Sequence, residues 1–539
     1  MNHRFLIRAV LFLGLALPAI ESDLSAADSL PRPDRGGAPA SRLYDYGVMG
    51  PPATPAIVAA AQSAVTNPMP QGPFRPTWSS IERNYRTPSW FEDAKFGIFM
   101  HWGLYSVPAH HNEWYEKHMY GNPADIKWHE EHFGPVEKFG YKDFIPLFTA
   151  DKWDPDAWAK LFKQSGARYV IPTAEHHDNF ALWDSDVTPF NAVKMGPHRD
   201  LIGDLARAVR KQGLKFGVSN HGMENFTFIN PTPDIDAQLK AAHADLYDPK
   251  WVEFYHVADR SDAAMTGFLT DWVNRNLELI DKYRPDLLWF DNGVNLRVLD
   301  PLKEFVAAYY YNRSRQWGKQ VSITTKYIAY APGNDDTKQI GSIIDFEKVG
   351  TRSPKDIRPG PWQVDDPIGS TWGYTTGMSV SGAGAIIHKL VDTVSKGGNY
   401  LLNISPMADG TIPEAQQNTL LGIGRWLDVN GEAIYGTRPW TQFGEGGARG
   451  FRFTTKGDTL YAIALSWPET EAVIAALAST NAVAGKVKTV TLLGHKGRLE
   501  FTQDATGLKI RMPAAKPCDY AWAFKITGSK HHLENSTAR

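Results

Sequence analysis

Five stretches of this 539-residue chain run from apolar residues into side chains that can move protons, hold a cation or bind hydroxyls. FGIFMHWG ends on His101 and Trp102, and RYVIPTAEHHDNF on Glu175, His176, His177 and Asp178. LKFGVSNHGMEN delivers Asn220, His221 and Glu224; DLLWFDNG delivers Asp291; SIIDFEKVG delivers Asp345 and Glu347. Asp291 follows Leu287-Leu288-Trp289-Phe290 and precedes Asn292-Gly293, which places it at a strand tip. A turn or helix-capping Asp is the bland alternative before Asn-Gly. A carboxylate buried beside Trp and Phe needs partners, a requirement typical of nucleophiles and general acids. If Phe346 points away from the pocket, Asp345 and Glu347 share the opposite face, and one of them can approach Asp291. Asn112-Glu113-Trp114-Tyr115 puts a carboxylate beside two rings, a combination suited to a sugar pocket.

The histidines allow two chemistries. His176 and His177 would point to opposite sides of a regular strand, but both reach a pocket where the backbone turns at a strand end. There they can serve as hydrogen-bond partners for hydroxyls. Alternatively His101, His176, Asp178 and His221 form a metal site, although no His-x-His or His-Glu-x-x-His spacing supports it.

Side chains gathered from so many strand ends need a scaffold that aligns those ends. Strand patterns begin near residues 96, 169, 214, 287, 321, 342 and 400, with an irregular one over 362–374. Helical patterns lie between them, including one from 157 capped by Asp156, one over 200–212 and one over 268–283. About eight strand–helix repeats predict a (β/α)8-like barrel, an α/β fold that presents reactive groups at one face. The absence of Gly-x-Gly-x-x-Gly after the first strand argues against a dinucleotide fold. Beyond Trp440 the period changes to two, predicting a C-terminal antiparallel β-sandwich. The expected organisation is 1–27 signal peptide, 28–85 Pro/Ala-rich arm or linker, 86–439 barrel, 440–528 sandwich and 529–539 polar tail.

A net charge of −2 indicates neither a nucleic-acid footprint nor a basic membrane patch. Arg4 and Arg8, the apolar run 9–20 and the small residues Ser25-Ala26-Ala27 read as a secretory signal. A periplasmic or secreted location follows, with no stable membrane insertion after cleavage. Cys518 is the sole cysteine, so no disulfide forms within the chain.

WFEDAKFGIFMHWGLYSVP, Asn112-Glu113-Trp114-Tyr115, HHDNFALWDS, GPHRDLIGDL, LWFDNG, STWGY and SKGGNYLLNISPMADGTIP together resemble the α-L-fucosidases of glycoside hydrolase family 29. The resemblance implies a barrel with a β-sandwich and a retaining mechanism without metal or other cofactor. It implies Asp291 as nucleophile, and His101, Glu113, Trp114, His176 and His177 as fucose-binding residues, with Trp372 near the sugar methyl. Glu347 is the implied acid/base, with Glu224 in reserve. Many members carry Tyr-Tyr-Ser where this chain has Ser219-Asn220-His221, so the usual tyrosine contact is missing. The expected function is an exported retaining exo-glycosidase acting on fucosylated oligosaccharides or glycoconjugates. The competing readings are a catalytically inactive fucose-binding protein, a metal-assisted hydrolase using the His cluster, and an α-galactosidase-like specificity. Linkage and oligomeric state are left open.

Overall fold

The computed structural model describes residues 41–45, 48–326, 329–330 and 338–528. The stretch 1–27 expected as a signal peptide and the expected polar tail 529–539 lie outside these. Eight parallel strands close into a barrel: β1 (Phe96–Met100), β2 (Tyr169–Glu175), β3 (Lys215–Asn220), β4 (Leu287–Phe290), β5 (Ser322–Lys326), β6 (Ser342–Glu347), β7 (Trp362–Pro367) and β8 (Asn399–Ile404). Each strand pairs with its neighbours in sequence, and β8 closes on β1 with Tyr400 opposite Phe96. The seven strand starts near 96 to 400 stand where the hydrophobic pattern placed them, and the irregular stretch after 361 yields β7. Helices such as Leu201–Lys211, Asp262–Tyr283, Asp300–Gln316 and Glu414–Asn430 pack around the outside.

Inward and outward positions alternate along each strand. Phe99, Tyr169, Ile171, Leu287, Trp289, Ile343 and Leu401 share one buried cluster that fills the barrel interior. Gly97 on β1 has a specific reason: a Cβ there would sit 2.4 Å from the Tyr169 ring. The sequence is therefore small where the opposing strand is large.

Two local readings need correction. The helix at 155–164 is capped by Asp154, whose side chain accepts from Ala157 N at 3.0 Å, because Pro155 occupies the first helical position. The segment 28–85, read as a Pro/Ala-rich arm or linker, carries the helices Pro55–Ala64 and Trp78–Asn84. Thr54 caps the first through Ile57 N, and Ile57, Val58 and Ala61 are buried in the main core. Asn312, on the helix Asp300–Gln316, holds both Phe74 N and Phe74 O, at 3.0 and 2.9 Å.

The C-terminal region is two antiparallel sheets. The larger contains β9 (Arg438–Glu445), β10 (Phe451–Lys456), β11 (Thr459–Ala464), β13 (Val487–Leu492) and β16 (Trp522–Gly528); the smaller contains β12 (Glu471–Ile474), β14 (Phe501–Asp504) and β15 (Gly507–Arg511). Along β11, Leu460 and Ala462 face the sandwich core, while Tyr461 and Ile463 join the core of the barrel. The larger sheet is thus buried on both faces. Arg452 reaches Asp392 on the barrel helix Ala383–Ser395 at 2.7 Å, and Trp426 Nε1 donates to Ala521 O at 2.8 Å.

Candidate active site

Continuing the inward parity by two residues past the barrel interior reaches the polar groups. Phe99 leads to His101, Trp289 to Asp291, Ile343 to Asp345 and then Glu347, and Leu401 to Asn403. All but the deeper Asp345 stand at or near the C-terminal ends of the strands, the face on which barrel enzymes build their sites.

Asp291 is 5% exposed. Its Oδ2 lies 2.9 Å from His221 Nδ1 and 3.6 Å from His177 Nε2, and its Oδ1 lies 3.1 Å from Lys326 Nζ. Burial alone would raise its pKa, but the Lys326 ammonium and the His221 hydrogen bond outweigh burial and hold it well below the usual carboxylate range. Lys326 is the last residue of β5 and is not among the site residues read from the sequence. Its ammonium also lies 3.8 Å from Glu347 Oε2 and 4.0 Å from Asp365 Oδ2. Facing oxygens of Asp291 and Glu347 are therefore separated by no more than the two Lys326 distances together, about 7 Å. Glu347 is the less enclosed of the two, its side chain 13% exposed and 3.3 Å from Arg352 Nη1.

Asp345, the other acid of its segment, points deeper. Trp289 Nε1 and Gln363 Nε2 donate to its Oδ2 at 2.6 and 2.5 Å, and Asp365 N donates to Oδ1 at 3.0 Å. Burial raises the pKa of Asp345 and, together with the nearby Asp345 charge, that of Asp365. These two acids line the floor. Glu224 is buried with Oε2 3.7 Å from His177 Nδ1, on the far side of the His177 ring from Asp291.

The histidine rings form the wall. His101 lies 5.4 Å from His176 and 5.2 Å from His221 between ring centroids, and His176 lies 4.4 Å from His177. The backbone turn after β2 brings both adjacent histidines into the same wall. Burial lowers the pKa of all four, that of His177 to about 3, so the rings are neutral near neutral pH. His101 Nδ1 faces Asn403 Oδ1 at 2.7 Å, and His176 Nδ1 has no hydrogen-bond partner among the described residues.

Trp372 lies across from this wall, 5.2 Å from the His101 ring. Its loop is pinned from both directions. Glu113 Oε2 accepts from Trp372 N and Gly373 N, each at 3.1 Å, while Asn403 Nδ2 and Ser405 Oγ both donate to Trp372 O at 2.8 Å. Glu113 thus latches the loop after β1 to the loop after β7. Asn403 links His101 to Trp372, a role given away in the sequence only by its place two residues after Leu401. Trp114 stands edge-on to His177 at 6.1 Å.

The metal reading meets specific geometry. His101, His176 and His221 offer ligand atoms within 4.8 Å of one another, but Asp178 turns elsewhere and accepts from Tyr141 Oη at 2.8 Å. Both nitrogens of His221 are engaged, Nδ1 by Asp291 and Nε2 by Ser219 Oγ at 3.0 Å. A second group, His111, His118 and Asp125, lies on the segment after β1. The His111 and His118 rings stack 4.1 Å apart at 4°, so their in-plane lone pairs do not meet at one ion.

The Alpha-L-fucosidase family model matches residues 60–432, and the Alpha-L-fucosidase C-terminal domain model matches residues 448–527. The chain is 32% identical to tissue alpha-L-fucosidase of Homo sapiens over 517 residues, covering 90% of this chain and 99% of that protein. It is 33% identical to the Mus musculus tissue enzyme over 481 residues, 84% of this chain and 94% of that one. Among solved structures, the Thermotoga maritima alpha-fucosidase in complex with fucose superposes with a TM-score of 0.66 at 33% identity, covering 84% of this chain and 99% of that one.

Proposed function

Because the chain belongs to the α-L-fucosidase family, and is on that ground a glycoside hydrolase, we propose that it releases α-L-fucose from the non-reducing ends of fucosylated glycans with retention of configuration. The observation that carries this reading is the Asp291 carboxylate. It is kept anionic at the tip of β4, against a wall of neutral histidines and within about 7 Å of Glu347.

In the first step an Asp291 oxygen bonds to the anomeric carbon as the glycosidic C–O bond breaks, and Glu347 gives its proton to the departing oxygen. In the second, Glu347 takes a proton from water, whose oxygen bonds to the anomeric carbon as the Asp291 ester bond breaks. Asp291 is again a carboxylate, and Glu347 again holds a proton. Retaining enzymes hold their two carboxyl groups roughly 5–5.5 Å apart, which the Lys326 bridge permits. His101 and His176 supply ring nitrogens for the sugar hydroxyls, with Glu113, Trp114 and His177 beside them. Trp372 offers an apolar face for the methyl group. Arg4, Arg8, the apolar run 9–20 and Ser25-Ala26-Ala27 support export.

Asp291→Ala is expected to lower kcat on an aryl α-L-fucoside by about three orders of magnitude or more, with the thermal melt unchanged in shape. Proton NMR of the wild-type reaction should show α-L-fucose before mutarotation. Initial release of the β anomer would exclude retention, and full activity in Asp291→Ala would remove this residue from the nucleophile role.

A further inference from the structure

At the end of β3 the chain places a Ser and a His in line with the nucleophile. Ser219 Oγ lies 3.0 Å from His221 Nε2, and His221 Nδ1 lies 2.9 Å from Asp291 Oδ2. We propose that Ser219 and His221 are positioning residues for Asp291, forming a buried Ser–His–Asp hydrogen-bond chain whose last member is the attacking carboxylate. This inference rests on the nucleophile assignment made above.

The proton positions follow from the acceptors. Asp291 Oδ2 can only accept, so Nδ1 carries the ring proton and Nε2 presents a lone pair. Ser219 Oγ must then donate to Nε2. Its other acceptors in reach, Thr173 Oγ1 at 3.3 Å and Pro172 O at 3.4 Å, are farther away. Every bond in the chain points toward the nucleophile, and the hydroxyl satisfies the lone pair of the tautomer that the carboxylate selects.

The familiar use of this trio, in which His activates Ser for acyl transfer, is excluded by burial. Ser219 is fully buried beneath the imidazole, so no acyl group reaches its oxygen. The ring itself is held in place: it packs 4.9 Å from Trp289 and 6.0 Å from Phe99, His221 N donates to Glu175 O at 2.9 Å, and His177 Nδ1 donates to His221 O at 3.0 Å. Asp291 therefore has one partner on each oxygen, the His221 hydrogen bond on Oδ2 and the Lys326 ion pair on Oδ1. Such a clamp fixes the plane of the carboxylate. It also leaves a donor on the carbonyl oxygen of the fucosyl ester, which helps the carboxylate depart in the second step.

The test is a cycle of variants on an aryl α-L-fucoside: wild type, Ser219→Ala, His221→Asn, their combination, and His221→Leu. The Asn amide can stand in for Nδ1 as donor but offers nothing for Ser219 to orient. His221→Leu should lower kcat roughly 10–100-fold, the range for losing a hydrogen bond to a charged group, with KM and the Ki of L-fucose within about twofold of wild type. His221→Asn should regain most of that loss. Ser219→Ala should lower kcat several-fold in the wild-type background and add nothing in His221→Asn. Equal losses from Ser219→Ala in both backgrounds, or a fully active His221→Leu, would overturn the proposal. If thermal melts show that His221→Leu does not fold, the Ser219→Ala/His221→Asn cycle decides alone. A wild type inactive on the fucoside would instead sink the underlying functional reading.

Discussion

Lys326 carries more of the site's electrostatics than its single charge suggests. Its ammonium lies within 4.0 Å of Asp291, Glu347 and Asp365, and 5.6 and 5.4 Å from the Trp289 and Trp372 ring centroids. Removing one partner from a buried ion pair costs about 3–5 kcal/mol, so Lys326→Met should depress the melting temperature clearly as well as activity. The pH dependence separates the two effects. Asp291 contributes stability above its ordinary pKa, which is lost as pH falls through the depressed folded value. Without the ammonium, burial dominates and that value rises. The acidic limb of kcat/KM in Lys326→Met should therefore move to higher pH; a limb left in place would mean the ammonium does not set the nucleophile's charge. Asp365 carries the opposite sign. Its raised pKa favours the folded state most below the ordinary carboxylate value and erodes stability as pH climbs toward the folded one. Asp365→Asn should thus gain more melting temperature at pH 8 than at pH 5 relative to wild type, measured by calorimetry in matched buffers.

At the scale of the strand, one parity rule fills the barrel and arms its mouth. Gly97 shows how tight the filling is, because the added methyl of Gly97→Ala would meet the Tyr169 ring at 2.4 Å. Overpacking of this kind costs about 1–3 kcal/mol, and a chemical denaturation midpoint unchanged by the substitution would contradict the packing argument. The same parity explains what the sequence discloses and what it hides. Asp291 and His101 were legible because an apolar run stops at each, and Glu347 because it shares a face with Asp345 across Phe346. Lys326 was hidden because a lysine after Ser-Ile-Thr-Thr looks like a solvated strand end; the strand runs through it and turns the lysine inward beside Asp291. Asn403 was hidden in LLNIS, where an amide looks like an ordinary strand-end residue until His101 and Trp372 are seen on either side of it. The Glu113 latch was invisible for a different reason. Its partners, Trp372 N and Gly373 N, are backbone groups some 260 residues away, and no side-chain pattern marks them.

For the whole molecule, the larger sheet of the C-terminal region belongs to two cores at once. Tyr461, Ile463 and Ala523 pack into the barrel's cluster, while Leu460, Ala462, Phe524 and Ile526 pack toward the smaller sheet. A module hung on a linker would bury one face and leave the other to solvent. Here neither unit can unfold without exposing an apolar face of the other, so cooperative unfolding is expected. Scanning calorimetry of the full chain should show one endotherm. Ile463→Ala tests the coupling directly: truncating a buried Ile costs about 2–5 kcal/mol, and the whole transition should move to lower temperature while kcat/KM at 25 °C stays at the wild-type value. Two resolved endotherms, with only the smaller displaced by the substitution, would show that the β-sandwich folds independently and that the shared sheet does not tie it to the barrel.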